Sequence, residues 1–361
     1  MRGTVLVAGF ATRHVVRSAW NAGYRVAAID HFCDQDLCWY TDECRTFGDL
    51  DELPGLVEEF CRMRPVDLLV VTSGAEDMGS SLPVCGTPRE RVREFLDKHA
   101  IQEFFEREQI PVPPIVSATT FPCMIKPRKG AGGWRNRVAG SPADERAWTE
   151  MWPDVPYIRQ QLVDGIPCSV SCIANGSEAR AVAVNEQLLR ETDDDKAHGF
   201  AGAITPFDHP RAAELIRIAE HAAGASGCIG SVGVDFMLGD SIRAIEINPR
   251  FQATLDTVEM ATGRNLFDLH VSACRGILPP AHAGSAPAFA ARRIVFADRD
   301  LTVRDDLRHL SPYVADIPWP GTDIEEGGAV VSTFGWGKTR DAALAMLDRT
   351  ISGVGRYMSR W

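Results

Sequence analysis

The chain has 361 residues, too many for one ordinary hydrophobic core, so its length predicts two or three domains. Hydrophobic residues make up 45% and charged residues 24%, which excludes disordered, collagen-like and coiled-coil proteins. The formal net charge is -11 without a long basic block, so nucleic acid is not expected as a partner. No apolar run reaches the ~20 residues that span a bilayer, and a signal-peptide core is missing. We therefore expect a cytoplasmic protein without a membrane partner.

The cysteines suggest a metal site only weakly. The chain has ten, and Cys33, Cys38 and Cys44 cluster near the N-terminus without a second CxxC pair. Because most of the ten lie in apolar segments, we expect small buried residues in a reducing compartment. A metal-dependent binding module built on the three clustered thiols is kept as one alternative function.

The first ninety residues show the pattern of a doubly wound α/β domain. Short apolar runs at 4–9, 24–30 and 67–72 do not alternate with polar residues, and a helix-compatible segment occupies 15–23. Strands that are apolar throughout are typical of a parallel sheet covered on both faces. The sequence therefore predicts a Rossmann-like domain over residues 1–90.

The turn after the first strand argues against a dinucleotide site. Gly9 is followed by Phe10-Ala11-Thr12, so the GxGxxG fingerprint is absent. Polar residues do follow the strands, including Arg13 after the first and Glu76 after the third. Ligands bind at such strand ends in open α/β sheets, but ordinary solvated loops explain these residues equally well.

Beyond residue 90 the pattern mixes helices with antiparallel strands. A Pro- and Gly-containing stretch at 279–287 predicts a linker, so we expect a second domain over 91–280 and a strand-rich subdomain over 288–361. Apolar spacing, turn residues and prolines predict a helix at 91–108, a strand at 122–127, a hairpin at 169–185 turning at Asn175-Gly176, a helix at 211–225 and a helix after Thr339.

An acidic hairpin at 233–250 is the most informative segment. Glu246, Asn248 and Arg250 alternate with apolar residues, so in a strand they share one face. Asp235 stands on the preceding strand. Two carboxylates and an amide oxygen suit Mg²⁺, and Arg250 would bind an anion that the metal does not neutralise. A polar strand face in water is the plainer alternative. Asp235 reaches this face only if paired residue numbers sum to an odd value, or if a bulge corrects an even register.

A glycine-rich loop follows the strand at 122–127. Gly130, Gly132 and Gly133 allow backbone amides to approach an anion, and Lys126, Arg128, Lys129 and Arg135 add positive charge. The loop lacks the GK[ST] ending of a P-loop, which excludes a Walker-type site. A phosphate cradle and a flexible turn remain equal alternatives for the loop alone.

The order of these motifs resembles the ATP-grasp superfamily over about residues 1–275. The shared features are Asp97-Lys98, Ile125-Lys126-Pro127 with the glycine loop, Gln160 to Gly165, Val234-Asp235-Phe236, and Glu246-Ile-Asn248-Pro-Arg250. The resemblance implies ATP and Mg²⁺ as cofactors, and an ATP-grasp domain of α+β lid and core parts with the lid at about 118–163.

The resemblance also implies roles for single residues. Lys98 and Lys126 would contact the ATP phosphates, and the loop with Gly130, Gly132 and Gly133 would close over them. The remaining implied roles are adenine binding by backbone at Gln161, Leu162 and Val163, magnesium ligation by Asp235, Glu246 and Asn248, and stabilisation of the transferred phosphoryl group by Arg250. Family members often carry a Glu for ribose where this chain has Ile166-Pro167, so the ribose contact is unassigned.

The implied reaction is that of an ADP-forming carboxylate–amine ligase with small-molecule substrates. A homodimer is the assembly considered, although the sequence does not give the oligomeric state. Residues 185–206 and 332–339 resemble a branch of ATP-dependent carboligases related to biotin carboxylase, which implies a role in one-carbon carrier cofactor synthesis. The polar segment 193–196 is either a cover for the acceptor site or a solvated loop. A bicarbonate-using carboxylase and a non-catalytic nucleotide-binding regulator stay as alternatives.

Overall fold

The structure is a computed structural model that describes residues 2–130, 132–190, 192, 198–281 and 286–361. The polar segment 193–196 and part of the expected linker lie outside the described residues. Within the described ranges, no helix is both long enough and apolar enough to cross a membrane.

The N-terminal part is a four-stranded parallel sheet covered by a helix on each face, which confirms the doubly wound fold. The order of its strands is β3-β2-β1-β4. Alternate residues of β1 point to opposite faces, so Val7 packs with α1 while Leu6 packs with α2. The elements are β1 (Thr4–Gly9), α1 (Arg13–Asn21), β2 (Arg25–Asp30), β3 (Glu43–Arg45), α2 (Leu53–Met63) and β4 (Leu68–Val71).

The single helix predicted over 91–108 is wrong, because two helices occupy this stretch. They are α3 (Arg89–Glu94) and α4 (Lys98–Arg107). The Asp97 carboxylate accepts the backbone N–H of His99 at 2.8 Å and so caps α4. A side chain that satisfies a free N–H at a helix start favours a new helix over continuation of the old one.

A small antiparallel sheet with the strand order β6-β5-β7 occupies the stretch that was predicted as a lid. One helix covers it, and Cys123, Ile125 and Trp148 form its buried core. The elements are β5 (Cys123–Pro127), β6 (Arg137–Ala139), α5 (Pro142–Met151) and β7 (Tyr157–Gln161).

An eight-stranded antiparallel sheet forms the centre of the molecule, with the order β12-β11-β8-β9-β10-β13-β17-β15. Helices α4 and α6 pack on one face, while α7, α8 and the N-terminal sheet pack on the other. The elements are β8 (Ile166–Asn175), β9 (Ala179–Leu189), β10 (Phe200–Thr205), α6 (Ala212–Ala225), β11 (Ile229–Leu238), β12 (Ile242–Asn248), α7 (Leu255–Thr262), α8 (Leu266–Ala273), β13 (Phe289–Phe296), β14 (Leu301–Thr302), β15 (Val314–Ala315), β16 (Asp323–Ile324), β17 (Ala329–Gly337) and α9 (Arg340–Met358).

The C-terminal strands continue this sheet. β13 pairs with β10, and α9 packs Ala343 and Leu347 against Ile204 and Ala291. Thr339 caps α9 by accepting the N–H of Ala342. The segment after residue 288 therefore shares a sheet with the segment before 280, although the two were predicted as separate units.

A group of buried charges joins the N-terminal sheet to α7 and the C-terminal strands. We call Arg13, Asp36, Asp256, Arg292 and Asp316 the junction cluster. Arg13 binds both carboxylate oxygens of Asp256, at 3.0 and 2.7 Å, and its Nε lies 2.8 Å from Asp316. Arg292 donates to Asp316 at 3.0 Å. Burial alone would raise the pKa of Asp256, but the guanidiniums of Arg13 and Arg292 hold this pKa below its ordinary value.

Two of the clustered N-terminal cysteines do not have the free thiols expected from the sequence. Cys33 and Cys44 form a disulfide, while Cys38 is free and exposed. Because the disulfide consumes two of the three thiols, the cluster lacks the thiolates that a metal site would need. The metal-dependent binding module is therefore not supported.

Candidate active site

One open cleft collects most of the predicted site residues. It lies between the β5–β7 sheet and the β11–β12 edge of the central sheet. The predicted residues that line it are Lys126, Gly132, Gly133, Gln161, Leu162, Val163, Asp235, Glu246, Asn248 and Arg250. Lys98 and Gly130 are not among the lining residues.

The acidic hairpin has the register that a shared site requires. Near the turn, Leu238 pairs with Ile242 across a three-residue loop, and this even register would turn Asp235 away from Glu246. A bulge at Ile245 corrects the register, so Asp235 pairs directly with Glu246. Directly paired residues point to the same face, so both carboxylates face the cleft.

Asp235 is the most perturbed carboxylate of the cleft. Burial, and then the charge of Glu246, raise its pKa to about 7. Asn248 donates to one of its oxygens at 3.1 Å, and Gln187 donates to the other at 2.9 Å. Gln187 was not predicted as a site residue, because it lies on β9, far from the motif in sequence. The facing carboxylates carry more negative charge than their neighbours neutralise.

Arg250 is held by a residue from the N-terminal sheet. Its Nε donates to Glu76 at 2.6 Å, and its Nη2 donates to the Asn248 side-chain oxygen at 3.3 Å. Both side chains of the Arg250–Glu76 pair are largely buried. Glu76 was predicted only as a polar residue after a strand. The pair fixes the guanidinium beside the acidic face, and its charge is already partly balanced.

Lys126 is a buried cation on the opposite wall. Its side chain is 8% exposed, and burial together with the charge of Lys98 lowers its pKa to about 8, although Glu246 opposes the change. The ammonium group is therefore charged near neutral pH at a free-energy cost. An anion in the cleft would relieve that cost.

The glycine loop carries less free positive charge than its sequence indicates. Arg128 pairs with Asp97, and Arg135 lies between the rings of Trp134 and Trp152, 3.8 Å from each centroid. Lys98 donates to the Gly130 carbonyl at 2.7 Å. Arg128 shares its charge with Asp97, while the stacked Arg135 keeps its own, so their contribution to an anion site stays a prediction.

Gly133 has a packing role as well as its place in the cleft. Its φ is +75°, and a Cβ there would lie 2.5 Å from the His198 carbonyl oxygen. Both facts require glycine. At Gly130 and Gly132 a Cβ would meet no atom within 4 Å, although their φ angles are also positive. The loop thus approaches the central sheet through Gly133 alone among these three glycines.

The β7 end of the cleft contains a buried acceptor without a partner. Gln160 is 3% exposed, and its Nε2 donates to Gln102 at 2.7 Å. Its Oε1 is buried and finds no hydrogen-bond partner in the described structure, and the residue lines the cleft. Burying an unpaired oxygen costs about 1–3 kcal/mol, so the site suits a ligand that donates an N–H there. Sequence reasoning placed this residue next to the predicted adenine segment without giving it a role.

Comparison with known proteins agrees with this geometry. A family model for the ATP-grasp domain matches residues 95–254. An uncharacterized protein of Methanocaldococcus jannaschii is 24% identical over 357 residues, which cover 91% of this chain and 87% of that protein. The tyramine–L-glutamate ligase of Methanocaldococcus fervens is 33% identical over 103 residues, which cover 28% of this chain and 33% of the ligase.

A solved structure shares the whole fold. The biotin carboxylase domain of the Hydrogenobacter thermophilus 2-oxoglutarate carboxylase, crystallised as a dimer with MgADP and bicarbonate, superposes with a TM-score of 0.78 at 14% identity. The superposition covers 97% of this chain and 89% of that one. The likeness shows that the two chains share a fold. Residues 95–254 of this chain form an ATP-grasp domain.

Proposed function

We propose that the protein is an ATP- and Mg²⁺-dependent ligase that activates a carboxylate as an acyl phosphate and passes it to an amine, releasing ADP and phosphate. One observation carries the proposal. The uncompensated acids Asp235 and Glu246 face the buried cation Lys126 within one cleft. Such an arrangement suits a ligand that brings both a divalent cation and several negative charges.

The adenine of ATP is assigned to the β7 end of the cleft. Leu162, Val163 and Met124 supply apolar surface there. The Gln160 Oε1 would accept a hydrogen bond from the exocyclic amino group of the base, which would satisfy the buried oxygen. This contact favours adenine over guanine, because guanine has a carbonyl oxygen at the corresponding ring position.

The phosphates are assigned to the cationic wall. Lys126 would pair with them, and the backbone of Gly132 and Gly133 lies close enough to approach them. Lys98 would act at longer range from its position on the Gly130 carbonyl. These contacts also hold the γ-phosphate at the acidic hairpin, where the acceptor carboxylate must arrive.

The acidic face fits magnesium by the chemistry of its donors. Asp235 and Glu246 are hard oxygen ligands with excess negative charge, which Mg²⁺ prefers. Asn248 now turns its amide N–H₂ toward Asp235 and its oxygen toward Arg250, so ligation by Asn248 requires its amide to rotate. When bound, the ion would neutralise charge between the phosphates.

The chain's own residues account for the remaining chemistry. A carboxylate oxygen of the substrate attacks the γ-phosphorus and ADP leaves; the amine then attacks the acyl carbon and phosphate leaves, with one proton lost from nitrogen. Arg250, oriented by Glu76, stabilises the charge that spreads over the transferred group. The β5–β7 sheet would exclude water, which otherwise hydrolyses the acyl phosphate.

The finer parts of the proposal follow the sequence resemblance. The likeness to a tyramine–L-glutamate ligase supports an amine acceptor. A place in one-carbon carrier cofactor synthesis is proposed from the resemblance of the sequence alone. A cytoplasmic homodimer is part of the same proposal, since the biotin carboxylase domain named above is a dimer.

The test is ADP release by the purified chain against paired libraries of carboxylates and amines. We expect ADP only when ATP, Mg²⁺ and a matching pair are all present, and Asp235→Asn should abolish the signal. ADP release with bicarbonate and no other carboxylate would support the carboxylase alternative instead. ATP binding without ADP release under every pair would support the non-catalytic regulator.

A further inference from the structure

Two cysteines and a histidine lie together outside the cleft. The Sγ atoms of Cys85 and Cys274 and a ring nitrogen of His270 are all within 4.8 Å of one another. Cys85 lies next to the N-terminal sheet, where its N–H donates to the Leu69 carbonyl, and Cys274 directly follows α8. Among the described residues this group has the spacing of a metal site, so its chemistry has to be decided between metal and thiol.

Hydrogen bonds to His270 argue against a metal. Its Nδ1 accepts the backbone N–H of Ser231 at 2.9 Å, and its Nε2 lies 2.8 Å from the Cys85 carbonyl. Since Nδ1 accepts, the proton must reside on Nε2, which donates to that carbonyl. A metal on Nε2 would force a proton onto Nδ1, against the Ser231 N–H. A metal on Nδ1 would displace that N–H.

The imidazole is also fixed in place. A Cβ at Gly230 would lie 2.3 Å from the His270 Nδ1, so the imidazole packs directly against the Gly230 backbone. Phe251 covers the ring, with centroids 4.5 Å apart. The histidine is therefore a rigid hydrogen-bonding group, and the two thiols are left as the reactive pair.

The two thiols differ in acidity. A hydrogen bond from the Cys274 thiol, helped by the charge of Arg275, lowers the pKa of Cys85, while the Cys85 sulfur and burial raise the pKa of Cys274. Cys85 is therefore the more acidic thiol, and Cys274 holds the proton between them. Both are partly exposed. A thiolate beside a protonated second thiol is the arrangement of a nucleophile with a resolving partner.

We propose that Cys85 and Cys274 form a redox-active dithiol that low-molecular-weight disulfides oxidise to an intramolecular disulfide. The Cys85 thiolate attacks the disulfide RSSR, forms Cys85–S–SR and releases RS⁻. The Cys274 thiol then loses its proton, attacks the Cys85 sulfur and releases the second RS⁻. Two thiols lose two protons and two electrons, and RSSR becomes two RSH.

The disulfide would join two elements that flank the Arg250–Glu76 pair. Cys85 belongs to the segment after β4 that also carries Glu76, and His270 of α8 contacts the ring of Phe251, next to Arg250. Oxidation would therefore fasten this segment to α8 covalently. The dithiol is independent of the proposed ligase chemistry, and its test needs no ligase substrate.

The test treats the reduced full chain with oxidised glutathione at about pH 6, where an ordinary thiol is less than about 1% thiolate. Peptide mapping should show a cross-link between Cys85 and Cys274 with loss of two hydrogen atoms from these two peptides and no retained glutathione, counted separately from re-formation of the Cys33–Cys44 disulfide. Cys274→Ser should retain one glutathione on Cys85, and Cys85→Ser should react at neither site. Cys61→Ser, which removes a thiol with no such partner, should behave like the unsubstituted chain.

Three results would overturn the proposal. The first is reaction of the exposed Cys38 ahead of Cys85. The second is a glutathione adduct on Cys85 that persists while Cys274 stays reduced. The third is stoichiometric zinc, added as the chloride to the reduced chain, that is lost in both Cys85→Ser and Cys274→Ser, since this would assign the group to a metal.

Discussion

The cleft and the junction cluster both contain buried charges, but they differ in how far neighbouring groups compensate those charges. In the junction cluster each Arg faces carboxylates, and the pKa values of Asp256 and Asp316 lie below their ordinary values. Burial raises the pKa of Asp36, but two backbone N–H groups bind its carboxylate. In the cleft the pKa of Asp235 is raised to about 7 and that of Lys126 is lowered to about 8, because neither charge is fully compensated. The charges of the junction cluster are compensated within the protein, whereas the charges of the cleft need a ligand to compensate them.

The difference separates structural from functional charge. Buried ion pairs that complete one another fix the relative positions of the elements that carry them. Buried charges without full compensation cost stability, and they persist where a ligand supplies the missing charge. The following predictions test whether the two clusters divide in this way.

The largest effect should come from Arg13→Met in the junction cluster. The change leaves the buried carboxylates of Asp256 and Asp316 without their main partner, which should lower the free energy of unfolding by about 3–5 kcal/mol. Urea denaturation measures it. Arg25→Met removes an exposed pair with Asp42 and should cost less than about 1 kcal/mol. Equal losses in the two variants would refute the structural role of the cluster.

In the cleft, Arg250→Ala should lower kcat by about 100- to 1000-fold, because the lost charge acts mainly in the transition state. Lys126→Ala should instead raise the KM for ATP. Steady-state ADP release separates the two effects. Since Arg250→Ala strands Glu76, the double variant with Glu76→Gln serves as a folding control. Wild-type rates in both single variants would show that the site is misassigned.

Gln160→Leu should weaken ATP binding about 10-fold, the size of one hydrogen bond to a buried acceptor, and should narrow the preference for ATP over GTP. Calorimetric titration with each nucleotide provides the measurement. Gln161→Leu is the matched control, because the Gln161 side chain is exposed. If Gln160→Leu keeps the full preference for ATP over GTP, the unpaired Gln160 oxygen does not contact the base.

The last prediction concerns Asp34, at the edge of the junction cluster. Burial, and then the charges of Asp316 and Asp36, raise its pKa to about 8. Because this pKa is higher in the folded than in the unfolded chain, the protein loses stability as pH rises from the unfolded-state pKa of 3.8 to the folded-state pKa of about 8. Relative to the wild type, Asp34→Asn should therefore become progressively more stable as pH rises across this interval. Thermal unfolding at several pH values would show it, and a constant difference would contradict it.

The sequence contained the local part of the site. Alternation along β12 placed Glu246 and Asn248 on one face, and the motif order pointed to Lys126. The bulge in β12 could also have been predicted from the sequence. Its buried residues are Ile242 and Ala244 before the bulge and Ile247 after it, so the alternation changes from even to odd positions. Two successive apolar residues at 244 and 245 mark that change of phase.

Long-range pairs escaped prediction for a physical reason. Glu76 meets Arg250 and Arg13 meets Asp256 only through packing of separate elements, and a charged residue in a loop has many equivalent partners until the chain folds. The break between α3 and α4 was missed for another reason. The apolar spacing runs through Phe95, while the cap depends on a single side chain at Asp97.

Because the central sheet is continuous, it limits which fragments of the chain can fold. Residues 95–254 match a recognised domain, yet β10, inside that segment, forms ladder hydrogen bonds with β13 outside it. A fragment truncated at these limits would expose the backbone edge of β10, together with Ile204, and would lack Glu76. An unprotected edge of this kind pairs readily with other chains. Expression of the fragment alone should therefore yield aggregates, and a transplantable catalytic module would have to include both flanks.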